Sequence, residues 1–148
     1  MDGFLCLRQS ALLVAAKEVA LLQKVTPNII VDFHAEATSE KIAMGWFLKG
    51  KVSAVLGTHT HVQTADEKIY DEGTAYISDA GMVGPYNSVL GLDPDLVLDR
   101  FLTGLPTKWR LADGEGLLNG IYLQIDSQSG KALRIERIAQ RCDNLLTY

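Results

Sequence analysis

Only three histidines, two cysteines and four prolines occur in this 148-residue chain, and aromatic residues make up 7% of it. Each scarcity removes a class of protein. Cys6 and Cys142 stand near opposite ends without metal-type spacing, so neither a zinc finger nor a disulfide framework is indicated, and two reduced cytoplasmic thiols are expected. No apolar run reaches the roughly 20 residues a membrane span needs. In "MDGFLCLRQSALLVAAKEVALL", Lys17 and Glu18 break the run, and Asp2 stands where a signal peptide would carry positive charge. The expectation is a cytoplasmic protein with no membrane contact. Basic residues number 14 against 18 acidic ones, a net charge of −4, which argues against an extended nucleic-acid surface. A small nucleotide ligand remains compatible.

What is present suffices for a core: 47% of the residues are hydrophobic. No repeat, low-complexity tract or linker divides the chain, so residues 1–148 read as a single domain. Helical spacing runs from Ala11 to Val25, with Leu12, Ala15, Ala16, Val19 and Leu21 or Leu22 on one stripe. "NIIVDF" is a short β-branched run typical of a buried strand. "SEKIAMGWFLKG" predicts a helix capped by Ser39, with Ile42, Trp46 and Phe47 inward and Gly50 as the stop. "KVSAVLGT" is a second buried strand, so residues 28–57 predict a βαβ crossover with parallel pairing. Two short strands are expected around "DEG", then an irregular loop through "DAGMVGPYNSVLG". Pro94, an acidic first turn and a terminal glycine mark a helix in "DPDLVLDRFLTG". "KWRLAD", "GIYLQID" and "KALRIERI" predict an antiparallel closing sheet, with "DSQSG" as a hairpin turn.

All three histidines follow predicted strands: His34 in "VDFHAEATSEK", His59 and His61 in "GTHTHVQT". Open α/β folds bind ligands at the carboxyl ends of their strands. If the HTH run stays extended, positions i and i+2 face one side, which aims both imidazoles at one point, and His34 can approach from next door. Imidazole is a ligand for zinc and iron, and manganese favours added oxygen donors. Thr58 and Thr60 offer hydroxyls, and Asp32, Glu36 and Asp66 carboxylates, to orient the rings. The residues also admit a bland reading in which His34 is structural. The loop "GMVGPYNSVLG" lacks the lysine of a phosphate-binding P-loop. Ser39 has no partner base, Trp46 is expected in the core, and Trp109 and Tyr122 are expected to pack the terminal strands.

The strings "NIIVDFHAEATSEKIAMGWFLKGKVSAVLGTHTHVQTADEKI" and "GTAYISDAGMVGPYNSVLG" closely resemble the C-terminal half of the YmdB-like metallophosphoesterases, over about residues 27 to 138. That resemblance implies a partial metallophosphoesterase α/β sandwich: a βαβ unit followed by a helix and antiparallel C-terminal strands. It further implies a dinuclear centre of iron, manganese or zinc that hydrolyses 2′,3′-cyclic nucleotides or related phosphodiesters by two-metal catalysis. In the family pattern His34 and His59 bind one metal and His61 the other. The family's "GD" aspartate, strand-end glutamate and Asn-His pair, which together supply the remaining metal ligands, the bridging carboxylate and the general acid, find no match in this chain. The chain is therefore expected to be a partial domain with half a site, holding at most one metal alone, with weak or no activity and a tendency to self-associate. Two alternatives accompany this reading: a non-catalytic interaction or regulatory module with a structural metal or structural histidines, and a mononuclear three-histidine zinc hydrolase.

Overall fold

The computed structural model describes residues 10–142, and Cys6 with the opening segment lies outside them. Among the described residues, two sheets and three helices form a mixed α/β fold. The first helix, α1 (Ala11–Leu22), is followed by β1 (Ile30–His34), α2 (Thr38–Leu48) and β2 (Ala54–Thr58). β1 and β2 pair in parallel with Ile30 opposite Ala54 and His34 opposite Thr58, so the expected βαβ crossover is present. β3 (Lys68–Ile69) and β4 (Ala75–Ile77) form the antiparallel pair around the "DEG" turn, and β4 lies parallel to β2. The sheet order is β1-β2-β4-β3. Among the described residues β1 is thus an edge strand, and its Ile30 is 55% exposed. This corrects the expectation of a fully buried strand: "NIIVDF" is apolar, yet only one neighbour covers it.

A second, antiparallel sheet holds β5 (Val83–Pro85), β6 (Gly116–Ile125) and β7 (Ala132–Cys142). β6 and β7 are the expected hairpin, turned by Asp126, whose carboxylate accepts from the Ser129 amide and hydroxyl. The third strand comes from inside the glycine-rich segment, where a loop was expected. "KWRLAD" contributes only an isolated bridge between Leu92 and Leu111. Three residues with a Gly-Pro ending carry little strand signal, whereas "KWRLAD" alternates without finding a partner. Between these strands, α3 (Pro94–Thr103) begins with Asp93 accepting from the Asp95 amide and ends at left-handed Gly104, as its punctuation predicts.

The layers meet through two cores. Val19 of α1, Met44 and Leu48 of α2, and Val55 and Tyr76 of the sheet form one, flanked by Leu12 and Phe47. Ala54, Ala75 and Ala132 form the other, where the two sheets approach over small side chains. The inward face of α2 is Lys41, Met44, Gly45 and Leu48, displaced from the Ile42–Trp46 face expected. The cause is Lys41, which turns inward to an ion pair, and Gly45, which lets Tyr76 approach: a Cβ there would stand 2.5 Å from its ring. Ile42 and Trp46 face outward, as do Trp109 and Tyr122. Arg100 lies 4.8 Å over the Trp109 ring and Arg134 5.6 Å over Tyr122. Ser39 is not the cap either: the helix starts one residue earlier, with Ala37 at the N-cap and no side-chain bond. Among the described residues no helix is long and apolar enough to cross a membrane.

Candidate metal centre

β1 and β2 end side by side, so the chain direction places His34 and Thr58 at one rim of the sheet. The Nδ1 of His34 lies 3.1 Å from the Thr58 hydroxyl oxygen, and that hydroxyl donates to Asp32 Oδ1 at 3.4 Å. A threonine has one hydroxyl hydrogen. Once it is donated to the carboxylate, the oxygen accepts from His34 Nδ1–H, and the lone pair of Nε2 is left facing outward. This is how metal-binding histidines are commonly oriented. The sequence pointed to Asp32 and Thr58 in this role, and they act in series.

His59 meets that lone pair. Its Nδ1 lies 3.2 Å from His34 Nε2, and the rings cross edge to face with centroids 5.0 Å apart. Two nitrogens bound to one tetrahedral cation at ~2.0–2.1 Å would stand about 3.3 Å apart. The spacing therefore fits a shared cation, and both rings are solvent-exposed. Among the described residues, His34 and His59 are the two imidazoles this rim brings together.

His61 is placed differently. β2 stops at Thr58, and the run beyond it is not extended: His59 has a φ of 131° and His61 one of 65°. The i, i+2 argument consequently fails for this pair, and His61 instead borders a hollow beside Gln63, Met82 and Tyr86. Among the described residues no three His, Cys, Asp or Glu side chains are grouped to hold one ion. Positive φ at two successive candidate ligands is uncommon outside glycine and clusters at functional sites.

The turn is held by groups that sequence reasoning passed over. Asp79, buried at the end of β4, accepts from the Thr60 amide at 2.8 Å and the Gly81 amide at 3.0 Å. Lys41 Nζ donates to Asp79 Oδ2 and to the Thr58 carbonyl, both at 3.3 Å. The two anchors bracket His59. Burial pushes the Asp79 carboxyl up, but the Thr60 and Gly81 amides, with Lys41, outweigh it and hold its pKa below the ordinary value. Asp66 is likewise raised by burial and lowered further by the Ser78 and Thr64 hydroxyls and the Ser78 amide, with a net downward shift. It braces β4 and orients no imidazole. The Thr60 hydroxyl donates to the Val62 carbonyl within its own loop, and Glu36 is exposed with no described hydrogen bond to either ring. Lys41 could have been found from the i, i+3, i+4, i+7 spacing it shares with Met44, Gly45 and Leu48. Nothing local marked Asp79.

Residues 7–138 match the family model described as "YmdB-like protein". The 2′,3′-cyclic-nucleotide 2′-phosphodiesterase of Bacillus subtilis (strain 168) is 51% identical over 133 residues, covering 90% of this chain and 50% of that protein. A phosphatase of Mycoplasma pneumoniae superposes with a TM-score of 0.82 at 34% identity, over 91% of this chain and 47% of that one. A Thermus thermophilus protein does so with a TM-score of 0.76 at 38% identity, over 86% and 50%. Fold and rim together define an α/β domain of the kind found in phosphoesterases. The chain spans about half the length of these relatives. It belongs to the YmdB-like family.

Proposed function

We propose that the chain carries part of the active site of a metal-dependent phosphodiesterase acting on 2′,3′-cyclic nucleotides or related phosphodiesters, in the cytoplasm. The observation that carries this reading is the pairing of His34 Nε2 with His59 Nδ1 at 3.2 Å, in a chain 51% identical over its matched length to a phosphodiesterase of that class. His34 and His59 would hold one divalent transition metal, iron, manganese or zinc, and His61 would serve a second. Such ions supply Lewis-acid stabilisation of phosphate oxygens and a nucleophile from water near neutral pH. The chain's own contribution is orientation. Asp32 and Thr58 fix the His34 tautomer, and Lys41 and Asp79 fix the turn that presents His59. Among the described residues the edge of β1 is open to pairing, which supports self-association.

Calorimetric titration with Zn²⁺ tests the assignment. Histidine-to-alanine changes at His34 or His59 are expected to abolish the tightest binding event, and His61→Ala to leave it in place. Thr58→Val should weaken it roughly tenfold, the usual effect of removing a group that orients a ligand. Unchanged Zn²⁺ affinity in a His34→Ala, His59→Ala double variant would refute the reading. Hydrolysis of 2′,3′-cyclic AMP by this chain should be weak, because among the described residues no carboxylate joins the histidine pair into a three-donor group. Rapid turnover would show that a further ligand had been overlooked.

A further inference from the structure

The hollow bordered by His61 is not accounted for by metal binding. It has a volume of about 360 Å³ and is lined by His61, Met82, Tyr86, Leu90, Leu117 and Asn119, among others. That size and a mostly apolar wall with a few polar groups suit a small organic ligand. We infer that this hollow is the base subsite of the proposed nucleotide substrate, with the Tyr86 ring as its stacking platform. The inference rests on the phosphodiesterase reading above, because the phosphate would sit at the histidine rim and the base would extend past His61.

Three features make the hollow suited to a flat heterocycle. Tyr86 follows β5 directly, its amide donates to the Glu115 carbonyl at 2.8 Å, and the Arg141 guanidinium lies 3.7 Å from its ring centroid. A cation over one face fixes the ring's orientation, and aromatic rings stack on any base because every base has a π face. Leu90 keeps a φ of 52°, a conformation costly for a branched residue, between Val89 and Leu92, which bond each other's backbones. The turn thereby offers a bulky apolar side chain to the hollow. Finally, the Asn119 side-chain NH₂ donates to the Met82 carbonyl at 3.0 Å and that of Gln63 to the Ala80, Gly120 and Ile138 carbonyls. The Gln63 NH₂ is thus committed to backbone carbonyls and the Asn119 NH₂ gives one hydrogen to Met82, while each amide also carries an oxygen able to accept from a base amino group.

Adenosine 3′-monophosphate, adenosine and inorganic phosphate, each titrated calorimetrically into the Zn²⁺-loaded chain, separate the two ideas. Tyr86→Ala should weaken adenosine 3′-monophosphate roughly tenfold, in the range typical of removing one stacking partner, and weaken adenosine by a similar factor. Tyr86→Phe and Tyr86→Trp should restore both. His34→Ala should abolish inorganic phosphate binding and leave adenosine binding. Equal nucleotide affinity in Tyr86→Ala and the parent overturns the base subsite while leaving the metal reading intact. Phosphate affinity that survives His34→Ala overturns the metal reading instead. A parent chain that binds neither adenosine nor its 3′-monophosphate overturns the inference outright.

Discussion

Lys41→Met is expected to lower the free energy of unfolding by about 3–5 kcal/mol, the usual loss when one member of a buried ion pair is removed. Both side chains of the pair are 1% exposed, so little water can compensate. The methionine fills most of the lysine's volume, and the penalty therefore reports the charge rather than a cavity. Without the ammonium group, the Asp79 carboxylate keeps the Thr60 and Gly81 amides but loses its counter-charge. Urea denaturation followed by circular dichroism measures the effect. A loss below about 1 kcal/mol would mean that water reaches the pair. Lys41→Met combined with Asp79→Asn should cost less than the sum of the single changes, as for any directly coupled pair.

The pH dependence has a definite sign. The folded Asp79 has a lowered pKa, so the stability it contributes is present above the ordinary aspartate value and is lost as pH falls through the folded value. Lys41→Met removes one of the groups that lower it, and acid unfolding should then begin at a higher pH. Asp66, also lowered, adds to the acid sensitivity in the same direction. Because Lys41 also binds the Thr58 carbonyl, Zn²⁺ affinity at the histidine pair should fall with stability.

Gly57→Ala should be similarly damaging for a different reason. A Cβ on Gly57 would overlap the Ser78 carbonyl oxygen and lie 2.6 Å from its carbon. Both atoms are backbone, so no side-chain rotation relieves the clash. Just beyond the last β2–β4 pair, Leu56 with Ile77, the strands must part, and with them the Ala80 amide bond to the Gly57 carbonyl. About 3 kcal/mol or more of lost stability is expected, at the upper end of overpacking costs. Gly104→Ala is the control. It has a φ of 71° and nothing within 4 Å of where a Cβ would stand, so only backbone strain of about 1 kcal/mol is expected there. Comparable thermal shifts in the two variants would contradict the steric account.

Much of this architecture was legible in the sequence because its signals are local. The βαβ unit announced itself through two β-branched runs around a helical period closing at Gly50, and α3 through Pro94 and Gly104. The face of α2 was misread because a lysine in a core position contradicts the polarity rule until its partner, 38 residues away, is known. β5 was missed because its pairing with β6 is set by residues far along the chain. At the site, sequence pointed to His34, Thr58 and Asp32 through their place at strand ends. It could not foresee that the chain leaves extended geometry at His59, since the carboxylate that holds the turn, Asp79, comes from just beyond β4, far along the chain.

Gln63 has a mechanical consequence. Its side-chain nitrogen bonds carbonyls in β6, in β7 and beside Asp79, two residues from His61. The long β6–β7 hairpin is thus coupled to the His61 loop through one side-chain amide, beside the Arg137–Glu67 ion pair and the small-residue core where the two sheets meet. Force or a bound molecule that tilts the hairpin would be transmitted to the imidazole of His61, whereas His34, seated on the opposite edge of the parallel sheet, would stay still.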